Sequence, residues 1–122
     1  MKKIRVFRTG ATRDADINKP DIFGFLSSLS VKRYSDYMHE HRKQPDGSLR
    51  ASDNWKLGIP EIEYVRSMNR HVNDLNLHYE GFGDRAREDR ENALCAIIFN
   101  AQGLLFELLK KFDSKQSKRR VK

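Results

Sequence analysis

A histidine, a carboxylate and a second histidine lie on one face of a predicted helix. His71, Asp74 and His78 follow one another at i, i+3 and i+7 in the segment RSMNRHVNDLNLHYEG, and a helix brings such positions together along one side. Histidines and carboxylates that project inward from bundle helices commonly hold divalent metal ions. The spacing therefore predicts that His71 and Asp74 help to form a metal site. Two simpler alternatives stay open: His71 only packs in the core, and Asp74 only pairs with Arg70.

Acidic residues in two further predicted helices could complete such a site. The candidate sets are Asp36 with Glu40, and Glu88 with Asp89 and Glu91. Buried carboxylates are costly and repel one another unless a cation lies between them. Mg²⁺ and Mn²⁺ prefer oxygen ligands and leave coordination positions for water and phosphate groups. The acids therefore predict Mg²⁺ or Mn²⁺ as the cofactor, although the helix dipole alone also favours acids at a helix start.

A tryptophan and two asparagines are candidate substrate contacts. Asn54 and Trp55 lie in the polar loop PDGSLRASDNWKLG, and Asn100 interrupts the apolar run ALCAIIFNAQGLLFELL. A tryptophan in such a loop either plugs the end of a bundle or forms a stacking wall for a ring-shaped ligand. An asparagine within an apolar helix needs a hydrogen-bond partner for its amide. The sequence leaves both roles of the tryptophan open.

Composition and charge limit the class of protein. The 122 residues suffice for one domain, and 38% hydrophobic with 34% charged residues is typical of a soluble, helix-rich protein. The net charge of +7 comes from the ends, since residues 1–8 hold four cations and residues 110–122 hold seven cations and one acid. No apolar run approaches the ~20 residues of a membrane span. We therefore expect a cytoplasmic protein (host cytoplasm if phage-encoded) that contacts no membrane and touches nucleic acid only weakly, through its tail.

Hydrophobic periodicity predicts an all-α fold, a helical bundle of three main helices plus a short N-terminal helix. Ser30 suits the N-cap of the first main helix, and Pro60 suits the first turn of the second. The predicted helices are A over residues 31–44, B over residues 60–79 and C over residues 86–112, with a long loop between A and B.

The domain organisation follows from these elements. Residues 1–112 are expected to form a single α-helical domain, and residues 113–122 a basic, flexible tail. Residues 9–21, rich in Gly, Asp, Asn and Pro, are expected to form a loop. Cys95 lies within an apolar run and is predicted to be a core thiol.

Five stretches of the chain occur in an order and spacing typical of one family. They are RDADINKPDIFGFLS, KRYSDYMHEHRKQPDGSLR, SDNWKLGIP, YVRSMNRH and ENALCAIIFNAQGLLFELLK, within residues 10–110. Together they resemble the phage dATP/dGTP diphosphohydrolase family, distant relatives of the MazG-like all-α nucleotide pyrophosphohydrolases.

The resemblance implies an enzyme that hydrolyses purine deoxynucleoside triphosphates, dGTP or dATP, to the monophosphate and pyrophosphate. It implies Mg²⁺ or Mn²⁺ held by acids, and assembly into a homo-oligomer, a dimer or larger. In some phages such an enzyme removes dGTP, or supplies dGMP, for genomes in which 2-aminoadenine replaces adenine.

The resemblance also implies roles for particular residues. Glu40 and Glu91 are implied as catalytic residues and metal ligands, with His71 as a further ligand. Asp74 is added to the ligands from its spacing alone. The residues expected to contact the substrate are Asn54, Trp55, Arg70 and Asn100, with Lys19 as a further candidate phosphate contact.

The chain departs from the MazG-like pattern of ExxE followed by ExxD. Glu88 and Glu91 match half of it, and Asn92 stands where the family has a second acid on that helix. Whether Asp36, Glu88 or Asp89 also binds metal is therefore open. The alternative function is a non-catalytic helical phage protein that binds nucleic acid through its basic ends.

Overall fold

The protein is mainly α-helical, which confirms the predicted class. The computed structural model describes residues 3–15 and 18–120, with side chains through Asp113. By its internal contacts the chain divides into two compact units, Met1–Val31 and Lys32–Lys122.

The first unit contains a small β-hairpin, whose second strand the sequence did not predict. Strands β1 (Ile4–Val6) and β2 (Thr12–Asp14) pair antiparallel, with Ile4 opposite Asp14. All six strand residues are exposed, so the hairpin lacks the alternation of buried and polar residues by which a strand is recognised. The prediction of a loop over residues 9–21 was therefore wrong for β2. The short helix α1 (Ile22–Phe25) follows, as predicted.

Helices α2 (Ser28–Glu40) and α3 (Glu61–Tyr79) correspond to predicted helices A and B, but α2 ends four residues before residue 44, the predicted end of helix A. Helix α2 begins before Ser30, because the Ser27 hydroxyl accepts a hydrogen bond from the Ser30 N–H at 3.1 Å. The predicted cap at Ser30 was therefore wrong. Helix α3 begins directly after Pro60, within one residue of the prediction.

Helix α4 (Arg90–Arg120) is shifted from the predicted range of 86–112 at both ends. It starts later because Asp89 caps it, with its Oδ1 accepting the Asn92 N–H at 2.8 Å. It ends later because residues 104–120 contain neither glycine nor proline. Apart from Asp113, the tail predicted to be flexible, residues 113–122, lies beyond the described side chains, and that prediction stays a prediction.

The core of the second unit lies where α3 and α4 pack antiparallel. Tyr64 is only 1% exposed, and its ring lies against Gly103, where any Cβ would overlap it. Cys95 packs beside Tyr37 and Ala96, and burial raises the pKa of its thiol. The prediction of Cys95 as a core thiol is confirmed.

One stretch of α4 also meets the criteria for a membrane span. The segment Arg90–Asp113 is long and apolar enough to cross a bilayer, which the sequence expectation had not included. A central helix of a soluble bundle meets the same criteria. A single such helix is therefore weak evidence for a membrane location.

Candidate functional site

Two of the predicted metal ligands lie together in a cluster with a third residue. His71, Asp74 and Glu88 each present a nitrogen or oxygen within 4.8 Å of the others, a separation that one metal ion can bridge. Asp74 is 4% exposed, and the His71 and Glu88 side chains are largely buried. His71 Nδ1 also contacts the Glu88 carboxylate directly. Among the described residues, no other group of three or more His, Cys, Asp or Glu side chains has this geometry.

The segment between α3 and α4 positions Glu88 in this cluster. The second histidine of the motif, His78, donates from Nε2 to the Glu88 carbonyl oxygen at 2.7 Å. A carbonyl can only accept, so this contact places a proton on Nε2. Gly83 lies so close to the His78 ring that a Cβ at that position would overlap it. His78 therefore supports the backbone of a cluster residue and is not itself one of the three.

An arginine supplies positive charge to the cluster. Arg87 Nη2 lies 2.6 Å from Asp74 Oδ2, and its Nε donates to the same oxygen at 2.8 Å. These hydrogen bonds lower the pKa of Asp74 below its ordinary value. Asp74 therefore pairs with Arg87 across the segment, and the predicted alternative partner Arg70 is exposed.

The donor set suits the cofactor that the sequence predicted. Two carboxylates and one imidazole, from His71, Asp74 and Glu88, fit Mn²⁺ and are compatible with Mg²⁺. A divalent ion would take the place of the Arg87 guanidinium beside Asp74. The chemistry of the residues is thus consistent with a hard divalent cation.

The other acids named from the sequence lie outside this cluster. Glu40 is the exposed last residue of α2. The Glu91 side chain is 72% exposed, and its Oε1 accepts a hydrogen bond from Arg33 Nε at 2.9 Å. Asp36 pairs with Lys32 at 2.6 Å. Catalytic or ligand roles for Glu40 and Glu91 remain predictions from the resemblance.

A cavity of about 460 Å³ opens beside the central part of α2. Its walls come from α2, α4 and the loop between α2 and α3, and they combine aromatic side chains with polar and cationic ones. The lining residues include Tyr34, Met38, His41, Trp55, Phe99 and Gln102. Arg42 and Arg50 add positive charge to the lining. An apolar wall with a few polar and cationic groups is typical of a small-molecule site.

Trp55 is held in the cavity wall by contacts on two sides. It lies in a 3₁₀ helix, Asn54–Leu57, and packs edge-on against Phe106 with 5.1 Å between ring centroids. Beyond that helix, the Ile59 N–H donates to Glu107 Oε1 at 3.4 Å, which ties the loop to α4. The tryptophan therefore packs against α4 and also lines the cavity, and a role in stacking on a ligand stays a prediction.

Three predicted substrate contacts lie in different places. Asn54 lines the cavity beside Trp55. Asn100 is buried, and its Nδ2 donates to the Ala96 carbonyl at 2.8 Å. The side-chain nitrogen is therefore hydrogen-bonded within α4. Lys19 belongs to the first unit, where it lines a separate basic pocket.

One tyrosine contacts a residue of the cavity wall and lies within electrostatic range of the metal-ligand cluster. The Tyr37 ring stacks on His41, a cavity residue, with 3.9 Å between centroids. Burial raises the pKa of Tyr37, and the nearby Glu88 carboxylate raises it further. Tyr37 is therefore in contact with one site and within electrostatic range of the other.

Comparison of the chain with protein-family models, curated proteins and solved structures finds no match.

Sequence reasoning missed Arg87 as a partner of the cluster, and Tyr34 and Gln102 as cavity residues. A signal was available for Tyr34, because it is one helical turn from Met38 and two from His41 on the same face of α2.

Proposed function

We propose that this protein is a metal-dependent pyrophosphohydrolase of purine deoxynucleoside triphosphates, with a MazG-like bundle. The observation that carries the proposal is the occurrence of the His71, Asp74 and Glu88 cluster together with a cavity of aromatic and polar lining, with Tyr37 stacked on the cavity residue His41 and within electrostatic range of Glu88. A nucleotide has both an aromatic ring and a polyanionic chain, and it needs these two environments side by side. The proposal includes phage nucleotide metabolism in a host cytoplasm as the setting.

The residues of the chain would divide the nucleotide between them. Trp55 would stack on the base, and Arg42 and Arg50 would attract the phosphates. His71, Asp74 and Glu88 would hold Mg²⁺ or Mn²⁺. Such an ion neutralises triphosphate charge and makes a water more acidic. Roles for Glu40, Arg70, Asn100 and Lys19 are carried from the sequence as part of the proposal, whereas Glu91, exposed and paired with Arg33, is left to the test of the family resemblance.

The test is incubation with each deoxynucleoside triphosphate in the presence of Mg²⁺ or Mn²⁺. We expect dGTP or dATP to yield the monophosphate and pyrophosphate in equal amounts, with no product after EDTA. Separation of the nucleotides and a pyrophosphate assay together identify the bond that is cleaved. Release of orthophosphate and a diphosphate, or no reaction with any nucleotide, would overturn the proposal.

A second copy of the chain is the partner that an exposed stripe of α4 favours. Five apolar residues of the stripe are 44–59% exposed: Leu94, Ile98, Leu105, Leu108 and Phe112. With Ala101 between Ile98 and Leu105, the positions of the stripe are separated alternately by four and three residues. This heptad spacing is suited to packing against another helix, and a stripe of this kind is unusual on a monomer.

Replacing Leu105 with glutamate should therefore lower the oligomer mass to that of one chain. The charge would lie in the middle of the stripe, where it could not be buried without cost. Sedimentation equilibrium measures the mass directly. Leu49→Glu is the matched control, because Leu49 is also exposed but lies in the loop after α2. An unchanged mass for Leu105→Glu, or a wild-type protein that is already monomeric, would exclude this interface.

One observation favours the alternative of nucleic-acid binding. Arg5, Arg13 and Lys19 line a pocket of about 410 Å³ in the first unit, together with Thr12 and Asp14. Cationic clusters bind phosphate backbones with affinity that falls steeply with salt. A protein with salt-dependent binding to DNA and no nucleotide hydrolysis would support this alternative.

A further inference from the structure

Arg87 contacts both oxygens of the Asp74 carboxylate, through different parts of the residue. Its Nη2 and Nε lie 2.6 and 2.8 Å from Asp74 Oδ2, and its backbone N–H donates to Oδ1 at 3.3 Å. Each oxygen of an ionised carboxylate has two acceptor positions, and the two guanidinium contacts occupy both positions of Oδ2. The guanidinium therefore blocks the oxygen that it contacts, whereas the backbone hydrogen bond orients the carboxylate.

The guanidinium lies at the surface of the cluster, where it can turn away from Asp74. The Arg87 side chain is 54% exposed, whereas the Asp74 side chain is 6% exposed. Arg87 lies in the segment between the 3₁₀ turn Gly83–Arg85 and α4. The backbone hydrogen bond to Oδ1 does not depend on the Arg87 side chain. Asp74 would therefore keep its orientation after the guanidinium had moved.

We propose that Arg87 is a phosphate-binding residue that Asp74 holds back until this carboxylate ligates a divalent ion. The inference rests on the proposed function, because the ion and the phosphates are those of its substrate complex. A guanidinium and a divalent ion on one carboxylate repel each other, which favours release of the Arg87 side chain. Phosphates on an ion held by Asp74 would lie within reach of that side chain, and a guanidinium binds phosphate oxygens in pairs.

This exchange would couple metal binding to phosphate binding. While Asp74 ligates no ion, Arg87 stays in its ion pair and adds little to the affinity for phosphate. Once Asp74 is a metal ligand, Arg87 adds charge-assisted hydrogen bonds to the phosphate. The ion and the phosphate would each strengthen the binding of the other, because coupling between two ligands is reciprocal. A purely structural ion pair predicts no such dependence, since Arg87 would then remain on Asp74 in both states.

Calorimetric titration with inorganic pyrophosphate, with and without equimolar Mn²⁺, tests this exchange without turnover. Arg87→Gln should weaken binding of the Mn²⁺–pyrophosphate complex roughly tenfold, the effect expected of hydrogen bonds to a charged group. It should leave the binding of metal-free pyrophosphate nearly unchanged. Arg85→Gln is the matched control, because it removes the same charge from an exposed position two residues away. An equal loss of affinity for Arg87→Gln in both conditions, or a loss in neither, would overturn the inference.

Asp74→Asn should release Arg87 without any metal. Asparagine is uncharged and has one acceptor oxygen instead of two, so it cannot accept from both the guanidinium and the Arg87 N–H. Metal-free pyrophosphate should then bind roughly tenfold more tightly, and the gain should vanish when Arg87→Gln is added. Glu88→Gln is the control for charge, because it removes one negative charge from the cluster but leaves the pair of Asp74 and Arg87. An equal gain in Glu88→Gln, or no gain in folded Asp74→Asn, would refute the inference. Should Asp74→Asn fail to fold, Arg87→Gln in the two conditions still decides.

The outcomes also separate this inference from the proposed function. An Arg87-dependent gain in Asp74→Asn without hydrolysis of any nucleotide would keep Arg87 as an anion contact held back by Asp74 and reject the enzyme. Hydrolysis of dGTP or dATP, with Arg87→Gln affecting both conditions equally, would keep the enzyme and reject the exchange. The absence of both hydrolysis and Arg87-dependent binding would reject both.

Discussion

Glu88→Gln is expected to lower kcat for the preferred nucleotide by roughly 100-fold or more, because losing a metal ligand costs more than the 10–100-fold typical of its supporting residues. Glutamine has nearly the same size as glutamate but lacks the charge that holds a divalent ion. The Glu88 carbonyl, which accepts from His78, is unchanged by this substitution. The fold should therefore survive. Initial rates measured over a range of Mn²⁺ concentrations, with circular dichroism as the check on folding, give the result.

Glu91→Gln is the matched control for this experiment. The residue lies three positions further along the chain, and its side chain pairs with Arg33 at the surface. On this geometry we expect most of the turnover to remain. The family resemblance implies the opposite, namely that Glu91 is an essential ligand. Loss of activity in Glu91→Gln with normal activity in Glu88→Gln would therefore favour the resemblance and reject the cluster as the metal site.

Trp55→Ala is expected to raise KM for purine nucleotides by roughly 10–100-fold, because stacking on an aromatic side chain contributes about 1–3 kcal/mol per base. The metal-ligand cluster lies on other elements, so kcat at saturation should change much less. Steady-state kinetics separate the two parameters. Trp55→Phe retains a stacking surface and the packing against Phe106, and it should keep most of the affinity. A fall in kcat without a rise in KM would instead indicate that Trp55 supports the metal-ligand cluster.

Much of the second unit was predictable from local patterns. Pro60 followed by two acids marks the start of α3, and the structure begins that helix at Glu61. The i, i+3 spacing of His71 and Asp74 correctly indicated that the two would share an inner face. Helical geometry fixes such relations within one element, so they need no knowledge of the tertiary fold.

Relations between elements were harder to predict. Glu88 lay inside predicted helix C, because the sequence AREDRE has no proline or glycine to interrupt a helix. In the structure the helix begins only after Asp89, and Glu88 is turned toward α3 by the His78 contact. The pairing of Glu91 with Arg33 spans 58 positions of sequence. No local propensity specifies a contact of that kind.

Arg87 gives the acidic cluster a counter-charge that is part of the chain. Many small metalloproteins reach their native state only once an ion neutralises their ligands. Here a guanidinium already balances Asp74, the most buried acid of the group. If the cluster binds an ion as proposed, folding and metal uptake would then be separate events. The affinity for the ion would depend partly on the strength of the ion pair between Arg87 and Asp74, because Arg87 would have to release this carboxylate.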